Sequence, residues 1–163
     1  MSYRPKTADL GALIEALVAA KIEMIVVGGV AAVLHGAPVT THDLDIVYSC
    51  NLDNLAHLQA LLEQLDAIIR EPGERERRPT IEMLDGSGQL RLMTSLGPLD
   101  LLGKLHDGRD YEALQSSSVT LVDGNLRLRV VDLDTLIQIK STTGRARDRI
   151  VVPMLMALRD QNS

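Results

Sequence analysis

Three features of the sequence predict a mixed α/β fold, a β-sheet flanked by helices. Short β-branched apolar runs at 23–27 and 43–48 read as buried strands. Two sets of apolar residues follow helical spacing instead: Leu10, Leu13, Ile14, Leu17 and Val18, then Leu55, Leu58, Leu61, Leu62 and Leu65. Two further apolar runs, 119–122 and 126–131, flank Asp123-Gly124-Asn125, a turn signal that joins them as a hairpin.

In chain order, Thr7 is placed to cap the first helix, with Asp9 in its first turn. The strand at 23–27 stops at the pair Gly28-Gly29. A short helix is expected over 30–35, ended by Gly36, then a polar turn and the strand at 43–48. An amphipathic helix follows over 54–65. Charge and two prolines make 71–80 an exposed loop, whose Arg75, Arg77 and Arg78 are within reach of an anionic acceptor. Residues 90–102 read as two strands joined by Ser95-Leu96-Gly97-Pro98. After the hairpin come helices over 133–141 and 147–159.

The 163 residues read as one domain, with a core about 23–131 and a helical C-terminal segment about 132–163. With no Phe and no Trp, the core must be built from Leu, Ile, Val, Ala and Met. The same lack argues against gripping single-stranded nucleic acid by aromatic stacking. A net charge of -5 argues against a general nucleic-acid or anionic-membrane surface. A single cysteine, Cys50, excludes an internal disulfide and a multi-cysteine zinc site, and reads as a small buried residue. No signal-like or membrane-spanning apolar run appears, so a cytoplasmic protein is expected.

The chemistry is concentrated between Ile25 and Val47. In a strand, side chains alternate, so Asp43 and Asp45 point to one face while Leu44 and Ile46 point into the core. Two carboxylates held this close repel each other, and a hard divalent cation is the usual remedy. A glycine pair after a strand lets backbone amides approach phosphates with no side chain in the way. Together these features read as phosphoryl or nucleotidyl transfer. A dinucleotide fold does not fit, because the third glycine is missing and Asp43 comes too early for a ribose-binding acid.

Glycine pair, short helix, turn and Asp-x-Asp strand resemble the signature of the DNA polymerase beta-like nucleotidyltransferase superfamily. The likeness is to its small prokaryotic members, including the minimal nucleotidyltransferases and those of abortive-infection and toxin–antitoxin systems. That resemblance covers about 23–149 and implies a nucleotidyltransferase fold. It also implies a third carboxylate, best matched by Asp100 in Gly97-Pro98-Leu99-Asp100-Leu101-Leu102. Asp43, Asp45 and Asp100 would then be both metal ligands and catalytic residues for Mg²⁺ or Mn²⁺. Gly28 and Gly29 would hold the phosphates of a nucleoside triphosphate.

The segment from Lys140 through Arg145 and Arg147 to Asp148 resembles the basic phrase that closes the site in those members, with Arg147 where they have lysine. It places Lys140, Arg145 and Arg147 on the triphosphate, although charged helix ends also occur without a ligand. The acceptor is left open among a protein hydroxyl, an RNA 3′ end and a small molecule such as an antibiotic; the resemblance implies protein or RNA, and a cognate toxin or antitoxin as partner. One departure is Val39, where many relatives carry an arginine in the turn. A rival reading keeps the fold but makes the chain a partner-binding subunit; the presence of all three carboxylates favours the enzyme. His35 is expected near the end of its short helix, His42 off the carboxylate face, His57 on a helix surface and Asp107 in a turn.

Overall fold

The computed structural model describes residues 8–71, 73, 76–86 and 88–162. Seven strands form one mixed sheet: β1 (Met24–Val27), β2 (Leu44–Tyr48), β3 (Ile68–Ile69), β4 (Gln89–Thr94), β5 (Gly97–Leu102), β6 (Ser118–Asp123) and β7 (Leu126–Val131). Their order across the sheet is β3-β4-β5-β2-β1-β7-β6. β2 runs parallel to β5 and β1 parallel to β7, while the other neighbours are antiparallel. Ile25, Val26, Leu44, Ile46, Val47, Leu99 and Leu101 are fully buried, so the three central strands form the floor of the core.

The longer helices are α1 (Leu10–Ala19), α3 (Leu52–Gln64), α6 (Leu133–Thr142) and α7 (Ala146–Gln161). Each buries the apolar stripe that its spacing dictates: Leu13, Ile14 and Leu17 in α1, and Leu55, Leu58, Leu61 and Leu62 in α3. Thr7 lies outside the described residues, and the cap of α1 is Asp9, whose carboxylate accepts from the Ala12 N–H at 3.0 Å. Asp132 caps α6 in the same way through the Thr135 N–H. The short helix α2 (Gly28–Leu34) begins two residues earlier than its sequence suggests, so the glycine pair forms its first turn rather than a loop before it.

Four small elements escape the sequence reading: β3, α4 (Ile81–Leu84), α5 (Tyr111–Leu114) and the 3₁₀ turn Gln115–Ser117 that follows it. None is long enough to display a period. α4 is held by a buried contact, the Tyr48 hydroxyl donating to the Leu84 carbonyl at 2.6 Å. In the charged loop, Arg77 pairs with Glu71 and Arg78 with Asp66, so both are engaged within the chain; Arg75 lies outside the described residues.

A buried amide fixes the entry to the central strands. Asn54, 2% exposed on α3, accepts from the Glu23 N–H at 2.7 Å and donates to the Glu23 and Ser49 carbonyls at 3.1 and 2.7 Å. One side chain thus ties α3 to the start of β1 and the end of β2. Asn54→Ala leaves those backbone groups unpaired and should cost about 2–4 kcal/mol. Urea unfolding will measure it, and a loss well under 1 kcal/mol would show that the tie is dispensable.

Candidate active site

Register builds the site. Asp45 on β2 lies opposite Val27 of β1 on one side and Asp100 of β5 on the other. Neighbouring residues in register point to the same face, so the two carboxylates meet across one strand spacing. Asp43 stands one residue ahead of β2, and the Thr41 hydroxyl donates to its carbonyl at 3.2 Å. One oxygen from each of Asp43, Asp45 and Asp100 lies within 4.8 Å of the others. On the opposite face, Leu44, Ile46, Leu99 and Leu101 are fully buried, so slipping either strand by one residue would bury a carboxylate in the core.

The trio is electrostatically loaded. Burial is the largest influence on Asp45; the charge of Asp100 and a hydrogen bond shared with it come next, and Asp43 adds to them. Lys140 pulls the other way, and the sum pushes the Asp45 carboxyl up to about 7. The Oδ1 atom of Asp45 is buried with no hydrogen-bond partner among the described residues. A buried carboxylate oxygen without a donor is unusual and calls for a ligand, an ion or a proton.

Two cations flank the trio. Arg70, just past β3, donates to Asp100 Oδ1 and pairs with it. Its backbone is pinned by its own N–H bonded to the Arg91 carbonyl at 2.8 Å. Sequence reasoning missed Arg70, because the two-residue strand before it shows no alternation that would aim it. Lys140, on α6, is 3.1 Å from Asp148 Oδ1 on α7, and the Thr143 hydroxyl reaches Asp148 Oδ2 at 2.5 Å. Burial works against the charge of Asp148, but Thr143, Lys140 and Arg145 outweigh it and hold its carboxyl below the usual range. Arg145 precedes the first turn of α7 without a side-chain capping bond and sits 3.8 Å from the same carboxylate. Arg147 is exposed on the first turn of α7.

The glycine pair has a nearer reason to exist than any phosphate. Gly28 has φ +69, and a Cβ there would lie 2.3 Å from Asp45 Oδ2; a Cβ on Gly29 would lie 2.6 Å from the Thr41 hydroxyl oxygen. The two glycines let the β1–α2 junction sit directly against the carboxylate strand. Nearby, the His35 ring bonds the Val131 carbonyl at 2.8 Å at the end of α2, His42 and His57 are exposed, and Asp107 holds a turn with Arg109. Val39 is half-buried against the core. Burial pushes the Cys50 thiol up, as expected of a packed rather than reactive sulfur.

Neither protein-family models nor curated proteins yield a match to the chain. Solved structures do. A candidate nucleotidyltransferase, TM1012 from Thermotoga maritima, superposes with a TM-score of 0.54 at 16% identity, over 91% of this chain and 90% of that one. The lincosamide antibiotic adenylyltransferase LnuA, in its lincomycin-bound form, gives 0.60 at 13% identity over 92% and 96%. The antibiotic-resistance factor ANT(2'')-Ia gives 0.55 at 16% identity over 94% and 92%. The fold is that of the nucleotidyltransferases. Asp45 and Asp100 therefore lie on β2 and β5 of a nucleotidyltransferase-fold sheet, with Asp43 just ahead of β2.

Two measurements probe this site without a substrate. Asp45 titrates at about 7 when folded and near its ordinary 3.8 when unfolded. Its protonation thus favours the folded state fully below about pH 4, and that contribution is lost as pH rises through about 7. In EDTA, the melting temperature of the native protein should fall across that window relative to Asp45→Asn; parallel curves would place the perturbed group elsewhere. Gly28→Ala and Gly124→Ala share the strain of a positive φ, but Gly124 has nothing within 4 Å. Gly28→Ala should be the more destabilising by at least about 1 kcal/mol, because Asp45 must move.

Proposed function

We propose that the chain is a divalent-metal-dependent nucleotidyltransferase that moves a nucleoside monophosphate from a triphosphate to a hydroxyl acceptor. One observation carries the reading: Asp45 and Asp100 in register on parallel neighbours, with Asp43 beside them and a buried Asp45 oxygen lacking any partner. Oxygen donors, negative charge and an orphaned ligand atom fit Mg²⁺ or Mn²⁺. When bound, the ions supply positive charge to the reacting phosphate and lower the pKa of the acceptor hydroxyl.

The residues take the following roles in this proposal. Asp43 and Asp45 hold the ions, and Asp100, steadied by Arg70 on its Oδ1, completes the acceptor side and takes the hydroxyl proton. Backbone amides of Gly28 and Gly29 face the β- and γ-phosphates. Lys140 and Arg145 neutralise the triphosphate, Lys140 as a point charge and Arg145 as a fork, and Arg147 reaches it from the next turn. The acceptor oxygen bonds to the α-phosphorus as the bond to the β-phosphate oxygen breaks, and pyrophosphate leaves. The whole of 1–163 acts as one unit in this reading, within the cell. Among the described residues no helix is long and apolar enough to cross a membrane.

For the acceptor we propose a hydroxyl of protein or RNA, in a toxin–antitoxin or phage-defence setting with a cognate partner. The antibiotic in LnuA and the adenylyl-2"-tobramycin in ANT(2")-Ia make small-molecule acceptors the alternative to test.

Labelled triphosphate with Mg²⁺ should pass an α-phosphate label, and no γ-label, to one class among cell protein, RNA, an aminoglycoside and a lincosamide. Asp43→Ala and Asp45→Ala should lose the transfer by several orders of magnitude. Lys140→Ala should lose less, with the deficit shrinking at saturating triphosphate. Mg²⁺ should raise the melting temperature of the native protein and barely that of Asp45→Asn. Passage of the γ-label would make the protein a kinase, and equal metal responses would move the metal site away from Asp45.

A further inference from the structure

A cavity of about 290 Å³ opens at the start of β1, the end of the strand away from Asp45. Its apolar lining comes from Val18, Ile22, Met24 and Leu128, with the buried ring of Tyr111 as a wall. Around this lining stand three cations: Lys21, Arg127 and Arg129. None of them makes a side-chain ion pair or hydrogen bond among the described residues. The cavity's one carboxylate, Glu23, already accepts from the Asn51 amide at 2.8 Å. In a chain of net charge -5, these three unpaired cations are gathered around one apolar hollow.

Backbone conformation supplies an independent observation. Lys21 lies just past α1 with φ 59, closing the helix through its N–H to the Val18 carbonyl at 3.0 Å. Glycine or asparagine normally fills that left-handed position, because a Cβ is crowded there. The other such residue, Asp66, has the short polar side chain that the conformation tolerates. Lys21 has neither advantage, and its side chain lines the cavity. Strain retained at a cavity wall points to use of the ammonium there.

Arg127 and Arg129, two apart on β7, share one face and offer planar forks, while Lys21 adds a point charge. With Glu23 counted, the three cations leave the lining a net charge of +2, which matches the dianion of a phosphate ester better than the single charge of a carboxylate. The apolar lining fits the ester's organic part. We propose that this cavity binds a small organic phosphate, at a site separate from the carboxylate trio.

The test uses the full chain in EDTA, with phenyl phosphate as probe and inorganic phosphate and benzoate as comparators. Calorimetric titration should show saturable binding of phenyl phosphate at least ten-fold tighter than either comparator. R127Q/R129Q should weaken it at least ten-fold, while Asp45→Asn should leave it unchanged. Lys21→Gly should bind several-fold more weakly, yet melt about 2–4 °C higher without ligand because the backbone strain is gone. Equal weak binding of all three probes, an adventitious ion only, would overturn the proposal. So would unchanged affinity in both cation variants, or loss of binding in Asp45→Asn, which would put the phosphate at the other end of β1. None of these results depends on whether the chain transfers nucleotides.

Discussion

Carboxylate repulsion is the constraint around which the rest of the molecule is arranged. Asp43, Asp45 and Asp100 present oxygens within 4.8 Å of one another. At an effective dielectric near 20, each ionised pair at that distance costs about 3 kcal/mol. Three such pairs approach the roughly 5–15 kcal/mol that holds a whole domain folded. The chain cannot carry all three charges bare. The Asp45 carboxyl, pushed up to about 7 by burial and by the charge of Asp100, has one relief in taking up a proton. A divalent cation is the other, and it relieves all three pairs at once.

What makes the arrangement tolerable is the sheet behind it. Leu44, Ile46, Leu99 and Leu101 alternate with the carboxylates and are fully buried, so the hydrophobic effect fixes the register that sets the acids side by side. The β1–α2 junction then closes over Asp45 because Gly28 and Gly29 leave no Cβ to collide with Asp45 and Thr41. Stability spent on repulsion is recovered from the same strands, one residue along.

Strong periodicities were legible in the sequence, and so were the turn residues that join β6 to β7. The alternation in Asp43-Leu44-Asp45-Ile46 and the leucine stripe of α3 both come from burial on one side, which leaves a pattern in the letters. Short elements leave none: β3 has two residues and α4 and α5 four each. Arg70 follows from that gap. Its backbone is placed by pairing with β4, a partner more than twenty positions downstream, and its contact with Asp100 spans three strands of the sheet. Two glycines read as a loop in the sequence, yet they form the first turn of α2 and admit Asp45 and Thr41. Residue type alone points to Thr7 as the cap of α1, whereas the carboxylate of Asp9 is the one that reaches the Ala12 N–H.

The cations around the trio show how the C-terminal helices join the site. Lys140 lowers the proton affinity of Asp45, yet its ammonium is also anchored on Asp148, which Thr143 and Arg145 hold in turn. Asp148 is buried and belongs to α7, whereas Lys140 belongs to α6, so the turn between the helices fixes where that positive charge stands. On the other flank, Arg70 sits on Asp100 from beyond β3. Arg70 thus pairs with Asp100 directly, whereas Lys140 pairs with Asp148 and acts on Asp45 through its charge alone. Neither cation is free to neutralise both acids. The buried Asp45 oxygen therefore keeps no donor among the described residues, and it stays open to a proton or to an incoming cation.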